Sequence, residues 1–337
     1  MPPHPATWLR PLPQGLFCEP GGFFIDPARA VDRAVITHAH SDHARPGHRH
    51  VLAHPDTLAL MRARLGEARA GATHQALGWG ETVVQGGVRI GLSPAGHVRG
   101  SAQVVLAYAG SRVVVSGDYK RQPDTTCDPF VPVRCDVFVT EATFALPVFR
   151  FPNPAGEIAR VLASLAATPG RTHLIGCYSL GKCQRVIALL REAGWDGPIH
   201  LHPAHEAMCA TYEALGVALG RLVPATDAPA GGIVLAPPGT TRDGWARGAG
   251  DPVVAVASGW MALRRRARAV EVPLVISDHA DWDGVLTTIG ETEAPEIWIT
   301  HGQEDALIHV LAQRGRRGRA LQMLGDGGAE EPAARAR

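Results

Sequence analysis

Lysine is almost missing from this chain of 337 residues: of 33 basic side chains only Lys120 and Lys182 are lysines, the rest being arginine. Aromatic residues are sparse too, at 6%. Basic and acidic side chains nearly cancel, 33 against 32, and a formal charge of +1 excludes a globally basic nucleic-acid binder while leaving local patches open. The six cysteines (Cys18, Cys127, Cys135, Cys177, Cys183, Cys209) contain no CxxC pair and no regular spacing. They read as reduced thiols of a cytoplasmic protein. No apolar run approaches the roughly 18 residues of a membrane span. The Pro-rich opening, MPPHPATWLRPLPQGLF, lacks the apolar core of a signal peptide. With 45% hydrophobic and 19% charged residues, the composition excludes a disordered, collagen-like or coiled-coil chain. The length fits two domains, or one domain carrying a large insertion.

What the chain does have is histidine, 16 in all, and a recurrent pattern that uses it. Short β-rich apolar runs end in a carboxylate or an imidazole. Gly21–Ile25 leads to Asp26, Ala34–Thr37 to His38, Val88–Leu92 to His97 and Arg112–Ser116 to Asp118. Val137–Thr140 leads to Glu141, Pro273–Ser277 to Asp278 and His279, and Glu296–Thr300 to His301. Strands buried on both faces read as continuous apolar runs, and in layered α/β proteins the ligand site lies outside the strand ends. The pattern predicts an α/β architecture with a polar site along one rim of packed sheets.

The middle of the chain differs. A Pro-rich stretch from Ala145 to Gly156 suits a linker. Alternating helix and strand signals follow: a helix over Gly156–Thr168, a strand over Thr172–Cys177, a helix over Lys182–Glu192. They indicate a small βαβ-like unit. The site-bearing runs resume at Val272, so an inserted domain inside a split one is favoured over two domains in tandem.

The segment Thr37-His38-Ala39-His40-Ser41-Asp42-His43 concentrates three imidazoles and a carboxylate, the usual ligands of Zn²⁺. A sharp backbone turn after a strand would let them surround more than one ion. This HxHxDH pattern, followed by His97 in Ala95-Gly96-His97 and Asp118 in Ser116-Gly117-Asp118, resembles the metallo-β-lactamase-fold hydrolases. By that resemblance Asp26 orients the metal site, and His38, His40 and His97 hold one zinc. Asp42 and His43 hold a second, and Asp118 bridges the two. Glu141, His279 and His301 resemble the three motifs of the β-CASP subgroup, the nucleic-acid-cleaving members with an inserted domain. His301 would then complete the second zinc site, with Glu141 and His279 as the pair that protonates the leaving oxygen. The implied fold is α/β: an αββα metallo-β-lactamase sandwich with an inserted β-CASP domain. Its expected division is 1–148 and 269–325 for the split domain, 149–268 for the insertion, and a disordered tail over 326–337.

The chemistry of two metals about 3.5–4 Å apart agrees with this resemblance, since such a pair holds a bridging hydroxide as nucleophile for in-line phosphodiester hydrolysis. Two Zn²⁺ are the expected cofactors, with Mn²⁺ as the alternative. Gly176-Cys177-Tyr178-Ser179-Leu180-Gly181-Lys182 has the GxxxxGK spacing of a phosphate loop, but Cys183 stands where a Mg²⁺-binding Ser or Thr would follow. It reads as a phosphate contact through Ser179, Gly181, Lys182 and Arg185, with a plain helix start as the alternative. Ser258 and Gly259 form a second turn whose backbone would reach phosphate. Two arginine clusters, Arg264–Arg266 with Arg268, and Arg314, Arg316, Arg317 and Arg319, suit backbone phosphates or simply a solvated face. His48, His50 and His54 match no ligand position. His200, His202 and His205 lie close in sequence, and a metal there is the less favoured reading.

Within the subgroup the chain most resembles the bacterial exonucleases named for their association with an ATP-dependent DNA ligase. The resemblance implies a DNA end-processing exonuclease of DNA repair, with the ligase and a helicase as functional associates and no membrane partner. The alternative is an RNA-processing or RNA-degrading nuclease, because His301 follows the RNA-cleaving pattern. A small-molecule hydrolase and a metal-free nucleic-acid-binding scaffold rank lower.

Overall fold

The computed structural model describes residues 3–225, 231–242 and 250–321. The expected tail, 326–337, lies outside them. The chain begins with a six-stranded sheet built in sequence order. Its strands are β1 (Leu9–Leu12), β2 (Gly15–Cys18), β3 (Phe23–Ile25), β4 (Arg33–Val35), β5 (His50–Ala53) and β6 (Thr73–Ala76). β1 to β3 are antiparallel, and β3 to β6 run parallel. A second sheet starts with β7 (Thr82–Gln85), β8 (Val88–Pro94), β9 (Ala102–Tyr108), β10 (Ser111–Val115) and β11 (Val137–Ala142).

The chain then leaves to build a third, all-parallel sheet. Its strands are β12 (His173–Gly176), β13 (Ile199–Leu201), β14 (Leu222–Pro224), β15 (Ile233–Ala236), β16 (Val253–Ala257) and β17 (Val272–Leu274), in the order β14-β13-β15-β12-β16-β17. It returns with β18 (Glu296–Gly302) and β19 (Arg317–Ala320), which pair in parallel beside β11 and complete seven strands. This is the expected insertion, with one correction. β17 pairs with β16, so the inserted sheet extends to Leu274, past the expected break at 268. The run Pro273–Ser277 read as part of the returning domain, but its first residues close the inserted sheet and only the segment after Leu274 crosses back.

Burial explains the continuous apolar runs. On β11, Val137 and Val139 face the first sheet in a shared core with Val35, Leu52 and Trp298. Phe138, between them, faces the other way, onto Val285, Ile289 and Leu307. Those last three belong to the helices Trp282–Thr292 and Glu304–Gln313, which cover the outer face of the second sheet. On the outer face of the first sheet, Ala34 and Val51 pack with Leu58 and Met61 of the helix Pro55–Leu65. The layers are therefore helix, sheet, sheet, helix: the αββα sandwich. The cluster outside the first sheet continues into Ile158, Ile175 and Val186 of the inserted unit, so insertion and sandwich share one apolar core. Among the described residues no helix is long and apolar enough to cross a membrane.

Phe138 is fully buried on that outer face. Phe138→Ala should lower stability by about 3–5 kcal/mol, the usual range for a buried phenylalanine, as read from urea unfolding. A loss below about 1 kcal/mol would mean that the helices do not depend on this face.

Candidate metal centre

All seven strand ends reach one rim. His38 follows β4, His97 follows β8, Asp118 follows β10, and Glu141 and His301 sit at the ends of β11 and β18. His38 Nε2 and His97 Nε2 approach His40 Nδ1 at 3.1 and 3.0 Å. One Asp118 oxygen, Oδ2, lies 3.5 Å from His38 Nε2, 3.7 Å from His97 Nε2 and 3.4 Å from His43 Nε2. Its other oxygen, Oδ1, lies 3.6 Å from His301 Nε2 and is buried without a hydrogen-bond partner. Asp42 joins on the open side, 3.7 Å from His43 Nε2.

The opposite nitrogens of these rings are held by the protein. His38 Nδ1 meets Thr37 Oγ1 (3.0 Å), His97 Nδ1 donates to Asp278 O (2.6 Å), and His40 Nε2 donates to Leu180 O (3.0 Å). Occupying one ring nitrogen fixes the tautomer and leaves the other to present a lone pair. Burial, foremost, holds His38 and His97 well below the ordinary histidine range, so both are neutral. Burial opposes charge on His43 and Asp118 as well, but their mutual attraction prevails: His43 is pushed well above its ordinary range and Asp118 well below. The neutral His38 and His97 nitrogens crowd one Asp118 oxygen while its other oxygen is left without a hydrogen bond, a set poorly matched to itself and suited to cations. The donor set fits two metal ions.

Asp26 supports the rim from behind. Its carboxylate accepts from Thr37 N (2.8 Å), Thr37 Oγ1 (2.5 Å) and His43 Nδ1 (2.8 Å), and its backbone adopts φ +42°, a left-handed conformation unusual outside glycine. Gly117, at φ +57°, lets β10 turn against the same segment; a Cβ there would stand 2.7 Å from Thr37.

His279 faces this centre from the inserted side. Its Nδ1 donates to Glu141, 2.9 and 2.8 Å from the two oxygens. Glu141 also accepts from Tyr119 N (2.9 Å) and Thr143 Oγ1 (2.5 Å), so the carboxylate is fixed. The Asp118, Glu141 and His279 ligand atoms lie within 4.8 Å of one another. Asp118 and His279 border a cleft of about 250 Å³ that Asp42, Tyr178 and Ser179 also line, with Glu141 buried behind His279.

The phosphate contacts expected of Lys182 and Arg185 are not what the fold provides. Lys182 is buried, donates to Ile276 O (2.9 Å) and pairs with Asp278 Oδ2 at 3.0 Å. Arg185 is buried too, bonding Ser277 O, Asp278 Oδ1 (3.2 Å) and Gln122 Oε1 (3.0 Å). Lys120 reaches Asp124 at 2.5 Å and Asp278 at 3.9 Å. Burial would push the Asp278 carboxyl up, yet Lys182, Lys120 and Arg185 hold it well below the usual carboxylate range.

The backbone N–H of Gly181 is likewise taken, by Gln184 Oε1 at 2.8 Å. Ser258 caps a short turn and Gly259 packs against Phe144, both buried, so neither offers backbone to the cleft. Ser179 alone of that group lines it. Among the described residues neither arginine cluster lines it either. Arg266 lies over Trp260, and Arg317 and Arg319 pair with Glu296. Asp278 is the residue that sequence reasoning passed over, and its signal was there: both lone lysines turn out to be its partners.

The layers and the strand-end donor set are those of the metallo-β-lactamase fold carrying a β-CASP insertion. No protein-family model matches the chain. It is 30% identical over 319 residues to a probable DNA ligase of Opitutus terrae, covering 91% of this chain and 30% of that protein. It is 30% identical over 197 residues to the ribonuclease TTHA0252 of Thermus thermophilus, covering 51% and 45% respectively. A cleavage and polyadenylation specificity factor 73 of Drosophila melanogaster is 27% identical over 134 residues, 39% of this chain and 20% of that one. The chain thus spans less than half the length of these curated relatives. A protein of unknown function from Enterococcus faecalis superposes with a TM-score of 0.57 at 13% identity over 87% of this chain and 80% of that one, a likeness of fold alone. The chain resembles the β-CASP nucleases, and among them the ligase-associated ones.

Asp278→Ala should destabilise the protein by about 3–5 kcal/mol, because it leaves Lys182 and Arg185 buried without this counter-ion. Replacing Lys182 by Met in the same chain should recover part of the loss. Urea unfolding of the two variants checks both, and equal losses would separate Lys182 from the network.

Proposed function

We propose that the protein is a metal-dependent phosphodiesterase that degrades DNA from an end. The observation that carries this reading is the Glu141–His279 pair, held beside the histidine–aspartate rim with His279 lining the cleft. His38, His40, His97 and Asp118 would hold one ion, and Asp42, His43, His301 and Asp118 the other, with Zn²⁺ the ion that this donor set suits. When bound, the ions supply Lewis acidity and water activation. The chain's own residues do the rest. Asp26 holds His43 in place. Glu141 fixes the imidazole of His279 through Nδ1, so that its far nitrogen, Nε2, is the one that delivers a proton to the leaving oxygen.

The choice of DNA is supported by the match along 91% of this chain to a protein named as a DNA ligase; a ligase and a helicase are its proposed functional associates. RNA is the second reading, favoured by the match to TTHA0252, named as a ribonuclease.

Single-stranded DNA, duplex DNA and RNA, labelled at either end and offered with Zn²⁺ or Mn²⁺, should discriminate these. Product ladders shortening from a DNA end are expected; preferential RNA cleavage would replace the first reading by the second. Asp42→Ala and Asp118→Ala should reduce cleavage to background while the fold is retained, and undiminished cleavage would exclude the two-metal site. His279→Ala should slow cleavage by about 10²–10⁴-fold. Its metal content should stay unchanged, whereas metal loss would make His279 a ligand instead.

A further inference from the structure

Two of the six cysteines converge on one histidine in the inserted domain, with a third beside them. Cys177 follows β12, Cys183 lies in the first turn of the helix Lys182–Glu192, and His205 and Cys209 lie one turn apart on the helix Pro203–Ala214. All four side chains are buried, none more than 1% exposed. Cys177 Sγ is 3.8 Å from His205 Nε2, and Cys183 Sγ is 3.9 Å from Cys209 Sγ. The ligand atoms of Cys177, Cys183 and His205 lie within 4.8 Å of one another.

In a tetrahedral zinc site, bond lengths of about 2.3 Å to sulfur and 2.0–2.1 Å to nitrogen separate neighbouring ligand atoms by about 3.5–3.8 Å. The two close pairs, at 3.8 and 3.9 Å, stand at or just beyond the wide end of that spacing, so the ligands need close in only slightly around an ion. The surroundings match as well. Gln184 Nε2 donates to Cys209 Sγ at 3.2 Å, the kind of hydrogen bond that stabilises a thiolate. On the far side of the ring, His205 Nδ1 meets Ser179 Oγ at 2.9 Å, which would fix the tautomer with Nε2 turned to the sulfurs.

We infer that Cys177, Cys183, His205 and Cys209 bind a thiophilic cation of the Zn²⁺ class, a site separate from the histidine–aspartate centre. Three thiols give up their protons to the solvent as the ion enters. The site fastens the loop between β12 and the following helix. Ser179 of that loop contacts His205 and lines the cleft, and Leu180 accepts from His40. The ion therefore stabilises the loop that orients one ligand of the other centre. The inference does not depend on nuclease activity, because it is read without substrate.

Cobalt distinguishes the two centres, since only this one offers sulfur. The full-length protein, stripped with chelator and reloaded with Co²⁺ under reducing, oxygen-free conditions, should show a sulfur-to-cobalt charge-transfer band. Cys177→Ser with Cys183→Ser should abolish the band and remove one equivalent of bound metal. In His38→Ala with Asp118→Ala, the band and that equivalent should persist. Absence of the band in the wild-type protein would overturn the inference whether or not the variants fold. A Cys183–Cys209 disulfide in metal-free protein purified without oxidant would overturn it too, making the cluster a redox pair.

Discussion

A buried carboxylate, Asp278, ties the inserted domain to the sandwich beside the apolar core that the two share. Lys182 and Arg185 come from the inserted helix, Lys120 from the loop after β10, and all three converge on it. Taking such charges out of water is costly, and the cost is offset only when every group finds hydrogen bonds and opposite charge. Here most of it is: Lys120 also donates to His97 O (3.1 Å) and Arg185 to Ser277 O and Gln122, while Arg185 Nε has only the charge of Asp124 at 3.7 Å. The same residue reaches the site through its backbone, where Asp278 O accepts from His97 Nδ1. The next residue, His279, pairs with Glu141. Removing the insertion would therefore leave Asp278 without Lys182 and Arg185, and His40 Nε2 without Leu180 O. The domain is part of the site's construction, beyond any role as a cover.

The rim itself rests on backbone placement. Parallel strands end together, so residues far apart in sequence arrive at one edge. Gly117 and the left-handed Asp26 give the tight turns that let His43 and Asp118 meet. Strain at Asp26 is tolerable because three hydrogen bonds to its carboxylate over-determine it.

Most of this frame was legible in the sequence because strand burial and strand endings leave local marks. The αββα layers follow from runs such as Val137–Val139, apolar on both faces, and the rim follows from what ends each run. What misled was also local. GxxxxGK spacing before a helix suggests a phosphate cradle, and nothing near Lys182 in sequence announces Asp278, which only tertiary contact brings beside it. Histidine was over-abundant for a similar reason. His4, His54 and His202 each precede a proline and cap a helix or turn, accepting from the backbone N–H two residues on. Proline at the first helical position is a signal that sequence reading could have used. The cysteine cluster left no spacing signature, since its members come from a strand end and two separate helices.

Charge is where the structure changes the picture most. With both lysines and Arg185 committed to Asp278, Arg64 is the only lysine or arginine among the described residues that line the cleft, and its guanidinium is bonded to Ala39 O (2.9 Å) and Ala44 O (2.5 Å). Asp42 and Asp118 face the same space. By fixed charge alone the cleft would repel a phosphate backbone rather than attract it. Two divalent cations held there would reverse that sign, because bound ions are the largest local charges in such sites. Attraction for a polyanion in this cleft would thus be tied to metal occupancy, with the positive charge recruited instead of encoded in side chains.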